Sequence, residues 1–162
     1  MNRQRSVRFA RRPLENFLRR VKTELGVADF GVAVCFVSDA EIASMNKRFR
    51  RKTGPTDVLS FPARESSRGK KKIYAEDAKD TDNTEKRGKK TGARAAERYL
   101  GDIAIAPETA RRYAKKNGRT LSGELRVLIL HGVLHLMGYD HQADQGEMER
   151  IERKMRRRFG LA

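Results

Sequence analysis

The chain has 162 residues and a mass of 18.5 kDa, a size that suits one domain able to bury its own core without disulfide staples. Charged residues make up 36%, against roughly a quarter in an average domain, and 37 Lys and Arg outnumber 21 Asp and Glu to give a formal net charge of +16. That charge attracts polyanions, so nucleic acid or an anionic membrane face are the natural partners, with acidic proteins behind them. No apolar run approaches the roughly 18 residues of a membrane span. The basic residues 1–12 are not followed by the apolar stretch and cleavage site of a secretory signal. Cys35 is the one cysteine, which excludes an internal disulfide and a Cys-based zinc finger and fits a reducing cytoplasm. Trp is absent, so any stacking on nucleobases falls to Tyr, Phe, His or Arg.

Pro13 opens a helical pattern carried by Leu14, Phe17, Leu18, Val21 and Leu25, with Gly26 as its stop. Residues 30–37 are short, apolar and rich in β-branched side chains; they predict a buried strand with Cys35 in the core. Ser38 and Glu41 have capping-box spacing and open a second helix with Ile42, Met45 and Phe49 on its inner face. The basic turn 50–56 leads to a strand over 58–61 that Pro62 stops. Residues 64–98 then carry twelve basic and seven acidic side chains and almost no large apolar ones. This segment holds +5 of the total, leaving +11 on the rest, and cannot bury enough surface to offset its ordering entropy; it predicts a disordered insertion. A strand follows over 99–106, then a helix from Pro107 to near Gly118, an apolar helix over 121–137 ending at Gly138, and a last helix with Met148, Ile151, Met155 and Phe159 inward. Helices alternating with strands predict a mixed α/β layer, helices against a small sheet.

All three histidines fall within eleven residues: His131, His135 and His141. A helix puts His131 and His135, four apart, on one face. Gly138 can take the left-handed conformation that ends the helix and lets the chain return with His141. Three imidazoles suit zinc, with nickel, iron and manganese as alternatives, and leave a fourth position for water, as in catalytic sites. The spacing equals that of the metzincin proteases, but those carry Glu directly after the first His as general base. Here Gly132 stands in that position and has no side chain to accept a proton, which weakens a zinc peptidase reading.

The run from His131 to His141 resembles the H-G-x-L-H-L-x-G-Y-D-H signature of the YbeY family of metal-dependent endoribonucleases. Residues 46–62, containing Arg50 and the stretch Pro55-Thr56-Asp57-Val58-Leu59-Ser60-Phe61-Pro62, are similar to that family's R-x-x-x-x-P-T-D-V-L-S-F-P segment, and Leu100-Gly101-Asp102-Ile103 to its L-G-D-I strand. The matches occur in family order; the charged segment 64–98 is longer than the connection usual there. The resemblance implies an α+β fold with a mixed four-stranded sheet flanked by helices and a zincin-like three-histidine site. It implies one zinc held by His131, His135 and His141, and a single domain over 1–162. It further implies cleavage of single-stranded RNA, with a part in 3′-end maturation of small-subunit 16S rRNA and in ribosome quality control.

By its place five residues before Pro55, Arg50 matches the family's catalytic arginine, a guanidinium suited to bracing a scissile phosphate; His135 joins it as a catalytic residue. Asp140 orients a ligand imidazole or stabilises the turn. Thr56, Asp57 and Ser60 shape the turn and strand edge, and Tyr139 packs. Arg48, Arg51 and Lys52 beside the site, and Arg153, Lys154, Arg156 and Arg157 near the C-terminus, are candidate RNA-phosphate contacts, as are Arg3, Arg5, Arg8, Arg11 and Arg12. The expected partners are rRNA, the small ribosomal subunit and its assembly factors, in the cytoplasm, with no membrane and no DNA. The competing reading is a non-catalytic rRNA-binding assembly factor in which zinc only staples the fold.

Overall fold

In the computed structural model the described residues are 1–4, 6–63, 98–140 and 144–161. They form, in order, α1 (Arg11–Glu24), β1 (Gly31–Phe36), α2 (Asp39–Arg50), β2 (Val58–Pro62), β3 (Tyr99–Ile105), α3 (Pro107–Lys116), α4 (Leu121–Leu136) and α5 (Glu147–Arg158). The expected insertion over 64–98 lies outside the described residues but for Arg98. That residue is held: its guanidinium is 3.2 Å from the Asp29 carboxylate and its carbonyl accepts from the Gly31 amide at 2.7 Å.

The strands form one mixed sheet in the order β1-β3-β2, with β1 parallel and β2 antiparallel to β3. Central β3 buries Leu100, Ile103, Ala104 and Ile105, so its near-continuous apolar reading is that of a strand covered on both faces. Its Gly101, at φ 139°, sits where a Cβ would lie 2.1 Å from the Phe61 carbonyl oxygen, so the antiparallel pairing with β2 requires glycine there. The strand predicted as buried over 30–37 is mostly half-buried, because β1 pairs with β3 on one side only. Cys35 is likewise half-buried rather than a full core residue.

The expected fourth strand is not formed among the described residues; its place beside β1 is taken by one bridge, Asn2 to Phe36. Phe36 donates to the Met1 carbonyl at 2.9 Å and Arg3 donates to the Phe36 carbonyl at 2.8 Å. The pairing stops there for a local reason. Buried Gln4 turns the chain, its Nε2 donating to the Val7 carbonyl at 3.0 Å and its Oε1 accepting from the Val7 amide at 2.9 Å.

One face of the sheet is covered by α2 over Val37, Ile42, Leu59, Ala104 and Ala106. The other carries the main core, in which Ile103, Ile105, Leu125, Ile129, Leu130 and Leu134 are all but fully buried. Each such side chain contributes roughly 1.5–3 kcal/mol of transfer free energy. Helix α4 is apolar on nearly every side because it lies inside this core. The Ser38–Glu41 capping box is present in both directions, Glu41 N to Ser38 Oγ and Ser38 N to Glu41 Oε2. Phe49 departs from the predicted inner face: the residue is 57% exposed, its ring meeting that of Phe61 in β2 edge to face. No helix among the described residues is long and apolar enough to cross a membrane.

Candidate functional site

The site begins with how closely α4 can approach β3. A Cβ on Gly132 would meet Ile103 Cδ1 at 2.8 Å and Cγ2 at 2.9 Å, so the absence of a side chain lets the helix settle against the central strand. From β2, Ser60 Oγ reaches the Gly132 carbonyl at 3.4 Å. Position 132 therefore faces the sheet. A glutamate there would press into Ile103, so the chain lacks not only a protease-type base but also the room for one.

Further round α4 from Gly132, the rings of His131 and His135 meet with centroids 4.6 Å apart and Nε2 atoms 3.0 Å apart. Their other nitrogens are engaged. His135 Nδ1 donates to the Tyr139 carbonyl at 2.9 Å, and a carbonyl can only accept, so this ring carries its proton on Nδ1. His131 Nδ1 lies 3.2 Å from Glu152 Oε2, an arrangement that fixes the same tautomer. Held this way, the two rings bring their Nε2 atoms together, 3.0 Å apart. Two ligands of a tetrahedral zinc at about 2.0–2.1 Å would stand about 3.3 Å apart. The donor set thus fits a borderline divalent metal.

Gly138, at φ 94°, makes the predicted left-handed turn, with Tyr139 N donating to the Leu134 carbonyl at 3.1 Å. That turn delivers the Tyr139 carbonyl to His135, while the Tyr139 side chain is buried in the core as predicted. Asp140 is half-buried and its carbonyl accepts from Asp144 N at 3.0 Å, which holds the chain beyond the turn. His141 lies outside the described residues. Among those described, no group of three or more His, Cys, Asp or Glu is placed to hold a metal, so the described part of the expected three-histidine site is the His131–His135 pair.

Glu152 was not singled out in the sequence. It is buried on α5, beneath His131, with Arg156 Nη2 on its other oxygen at 2.5 Å. Burial pushes its carboxyl up. The hydrogen bond and charge of His131, followed by the charge of Arg156, outweigh that and hold it below the ordinary carboxylate range. The available signal was a Glu at an inward position beside Met148 and Met155 of an otherwise charged helix.

Arg50 ends α2 and is exposed, with Arg48, Arg51 and Lys52 exposed around it. Asn46 Nδ2 donates to the Gly54 carbonyl at 3.0 Å and folds this basic turn back on the helix. Asp57 Oδ1 accepts from Val58 N at 2.9 Å and from Thr56 Oγ1 at 3.2 Å, the turn-shaping role expected of that pair. The C-terminal cluster divides. Lys154 and Arg157 are exposed, Arg153 pairs with Glu149, and Arg156 is half-buried on Glu152 and so serves the histidine site from below. Of the N-terminal arginines, Arg3 lies 3.6 Å from Glu41 and Arg11 pairs with Glu15 at 3.2 Å, while Arg5 is outside the described residues.

A helix carrying a histidine pair, laid on a small mixed sheet, defines the class as an α+β protein with a histidine centre. The family model described as Endoribonuclease YbeY matches residues 1–160, and the chain belongs to that family. The Koribacter versatilis (strain Ellin345) protein named endoribonuclease YbeY is 38% identical over 148 residues, covering 91% of this chain and 76% of that one. Its namesake in Bacillus licheniformis is 35% identical over 152 residues, covering 92% and 85%. A solution structure of a Thermotoga maritima protein, 27% identical, matches with a TM-score of 0.52 over 88% of this chain and 76% of that one.

Proposed function

We propose that this chain is a zinc-dependent endoribonuclease for single-stranded RNA, working as one domain over residues 1–162 in the cytoplasm. Its part is the 3′-end maturation of small-subunit 16S rRNA and ribosome quality control, with the small subunit and its assembly factors as partners. Family membership supports the activity. The observation that carries the site assignment is the pair of Nε2 atoms 3.0 Å apart, each ring pinned through Nδ1.

His131, His135 and His141 are the residues to hold the zinc, the last completing from beyond Gly138 what α4 begins. When bound, the metal supplies Lewis acidity, lowering the pKa of a water and polarising a phosphoryl oxygen. The remaining work belongs to the protein. Glu152 and the Tyr139 carbonyl keep protons on the two Nδ1 atoms, so that both Nε2 lone pairs stay available. Arg50 offers a fixed positive charge to the phosphate as negative charge builds in the transition state. Arg48, Arg51 and Lys52 bind flanking phosphates, with Arg153, Lys154 and Arg157 as a second patch.

The test is metal analysis of the purified chain, followed by cleavage of single-stranded and duplex RNA with and without chelator. Single-strand cleavage that chelator abolishes and zinc restores is expected. His135→Ala is expected to remain folded, bind RNA and lose cleavage. Cleavage that persists in a metal-free protein would overturn the assignment. RNA binding without cleavage in the zinc-loaded wild type would favour the assembly-factor reading.

A further inference from the structure

Phe49 is a large apolar side chain left open at the last turn of α2. Its ring is nevertheless fixed. It meets Phe61 edge to face, with centroids 5.1 Å apart and planes at 73°, and the Arg48 guanidinium lies 5.3 Å from its centroid. Arg50, Arg51 and Lys52 follow it directly, all exposed. Arg51 takes the left-handed conformation at φ 56°, and the Asn46–Gly54 hydrogen bond closes the turn, so the backbone carrying these cations folds back on the end of α2. Burial is not what keeps an aromatic residue at this place.

The two properties gathered here are those a single strand of nucleic acid needs: cations for its phosphates and a π-face for its bases. The location adds to this. Ser60 and Phe61 are consecutive in β2 and so point to opposite faces of the sheet. Ser60 touches the backbone of the histidine helix, and Phe61 supports Phe49. The ring and the histidine helix therefore lie on opposite faces of the sheet at its edge strand β2, with Arg50 next to the ring in sequence.

We propose that Phe49 is a base-stacking platform for the RNA substrate, its ring and the Arg48 guanidinium receiving an unpaired nucleobase while Arg50, Arg51 and Lys52 take the adjoining phosphates. This rests on the endoribonuclease reading. Stacking of this kind recognises unpaired bases without reading their identity, which makes the platform a selector for single strands.

The absence of tryptophan from the chain provides a direct probe. In Phe49→Trp the indole would be the sole tryptophan, and its emission should be quenched as single-stranded RNA is added. An oligomer of the same length without bases presents the phosphates but nothing to stack, and should bind with little quenching. Phe49→Ala should weaken single-strand binding, read by anisotropy of labelled RNA, by roughly 5- to 150-fold, the range for one stacked base. Its thermal melt should stay close to wild type because the side chain is already exposed. Equal quenching by the two oligomers, or an indole emission that RNA does not move while wild type binds and cleaves, would overturn the platform alone. A wild type that neither binds nor cleaves RNA would overturn the platform together with the endoribonuclease reading.

Discussion

Gly132→Ala tests how tightly the histidine helix is seated on the central strand. The added methyl would lie 2.8, 2.9 and 3.1 Å from Cδ1, Cγ2 and Cγ1 of Ile103, where carbon atoms prefer about 3.5–4.0 Å. Ile103 has no exposure and sits on the central strand with a stiff β-branched side chain, so it has nowhere to swing. Overpacking of this sort costs roughly 1–3 kcal/mol. Against that, alanine in a helix interior is worth about 1 kcal/mol over glycine. The net expectation is a loss of roughly 0–2 kcal/mol, or a melting temperature lower by up to about 8 °C at the 2–4 °C per kcal/mol usual for this size.

The sign should reverse when the obstacle is removed. Ile103→Ala deletes all three obstructing atoms and costs roughly 2–5 kcal/mol by itself. In that background Gly132→Ala should stabilise by at least about 1 kcal/mol, since the helical gain remains and the methyl enters the cavity. Ile103→Val, which removes only Cδ1, should fall between. Urea denaturation of the four proteins of the cycle gives the coupling directly. A Gly132→Ala that stabilises wild type and Ile103→Ala by the same amount would refute the close packing of α4 on β3.

Glu152→Gln keeps the shape but removes the charge beneath His131, and zinc affinity measured by calorimetry should fall about 10- to 100-fold; unchanged affinity would deny the carboxylate its orienting role. Ser38→Ala breaks the capping box at the start of α2 and should cost about 1 kcal/mol in denaturant unfolding, while a neutral result would place the box outside the stability of the fold. Burial and the 2.8 Å hydrogen bond to Asp102 raise Tyr99 to about 12. The native state then holds that proton more tightly than the unfolded chain. The stability it contributes is full below the ordinary value near 10 and is lost as pH rises from about 10 to about 12. Phenolate absorbance should show a late step that Tyr99→Phe removes, and a late step surviving that substitution would refute the assignment.

Local rules read most of the elements directly. Pro107, the Ser38–Glu41 pair, and glycines 26, 118 and 138 bracket helices as expected because each acts on the backbone within a few residues of itself. The errors lie where neighbours decide. β1 reads as buried, yet burial depends on what pairs beside it, and a single bridge to Asn2 leaves it half-covered. Phe49 fits the helical repeat of α2, but the repeat does not say how much of its ring the neighbouring elements cover. The histidine pair was legible because both members lie on one helix. Glu152 was not, since it reaches His131 from an element 21 residues away. Arg156 reads as surface charge until Glu152 is seen under it.

The placement of Glu152 also limits the chemistry it can perform. It holds His131 through Nδ1, and the reacting side of that ring is Nε2, so the carboxylate is screened from a substrate by the imidazole it orients. In the metzincin pattern the acidic residue follows the first histidine and works as the base; here that position faces Ile103 and holds a glycine. The one buried carboxylate shown beside the histidine pair is therefore a positioning group. A peptide bond needs a proton taken from water and delivered to a poor amine leaving group. A phosphodiester needs its nucleophile deprotonated as well, but it already carries charge, and its cleavage gains from cations set around the oxygens where further charge develops. With glycine at position 132, and with Arg48, Arg50, Arg51 and Lys52 exposed at the end of α2 in a chain of net charge +16, the described part of the histidine centre suits the second demand better than the first.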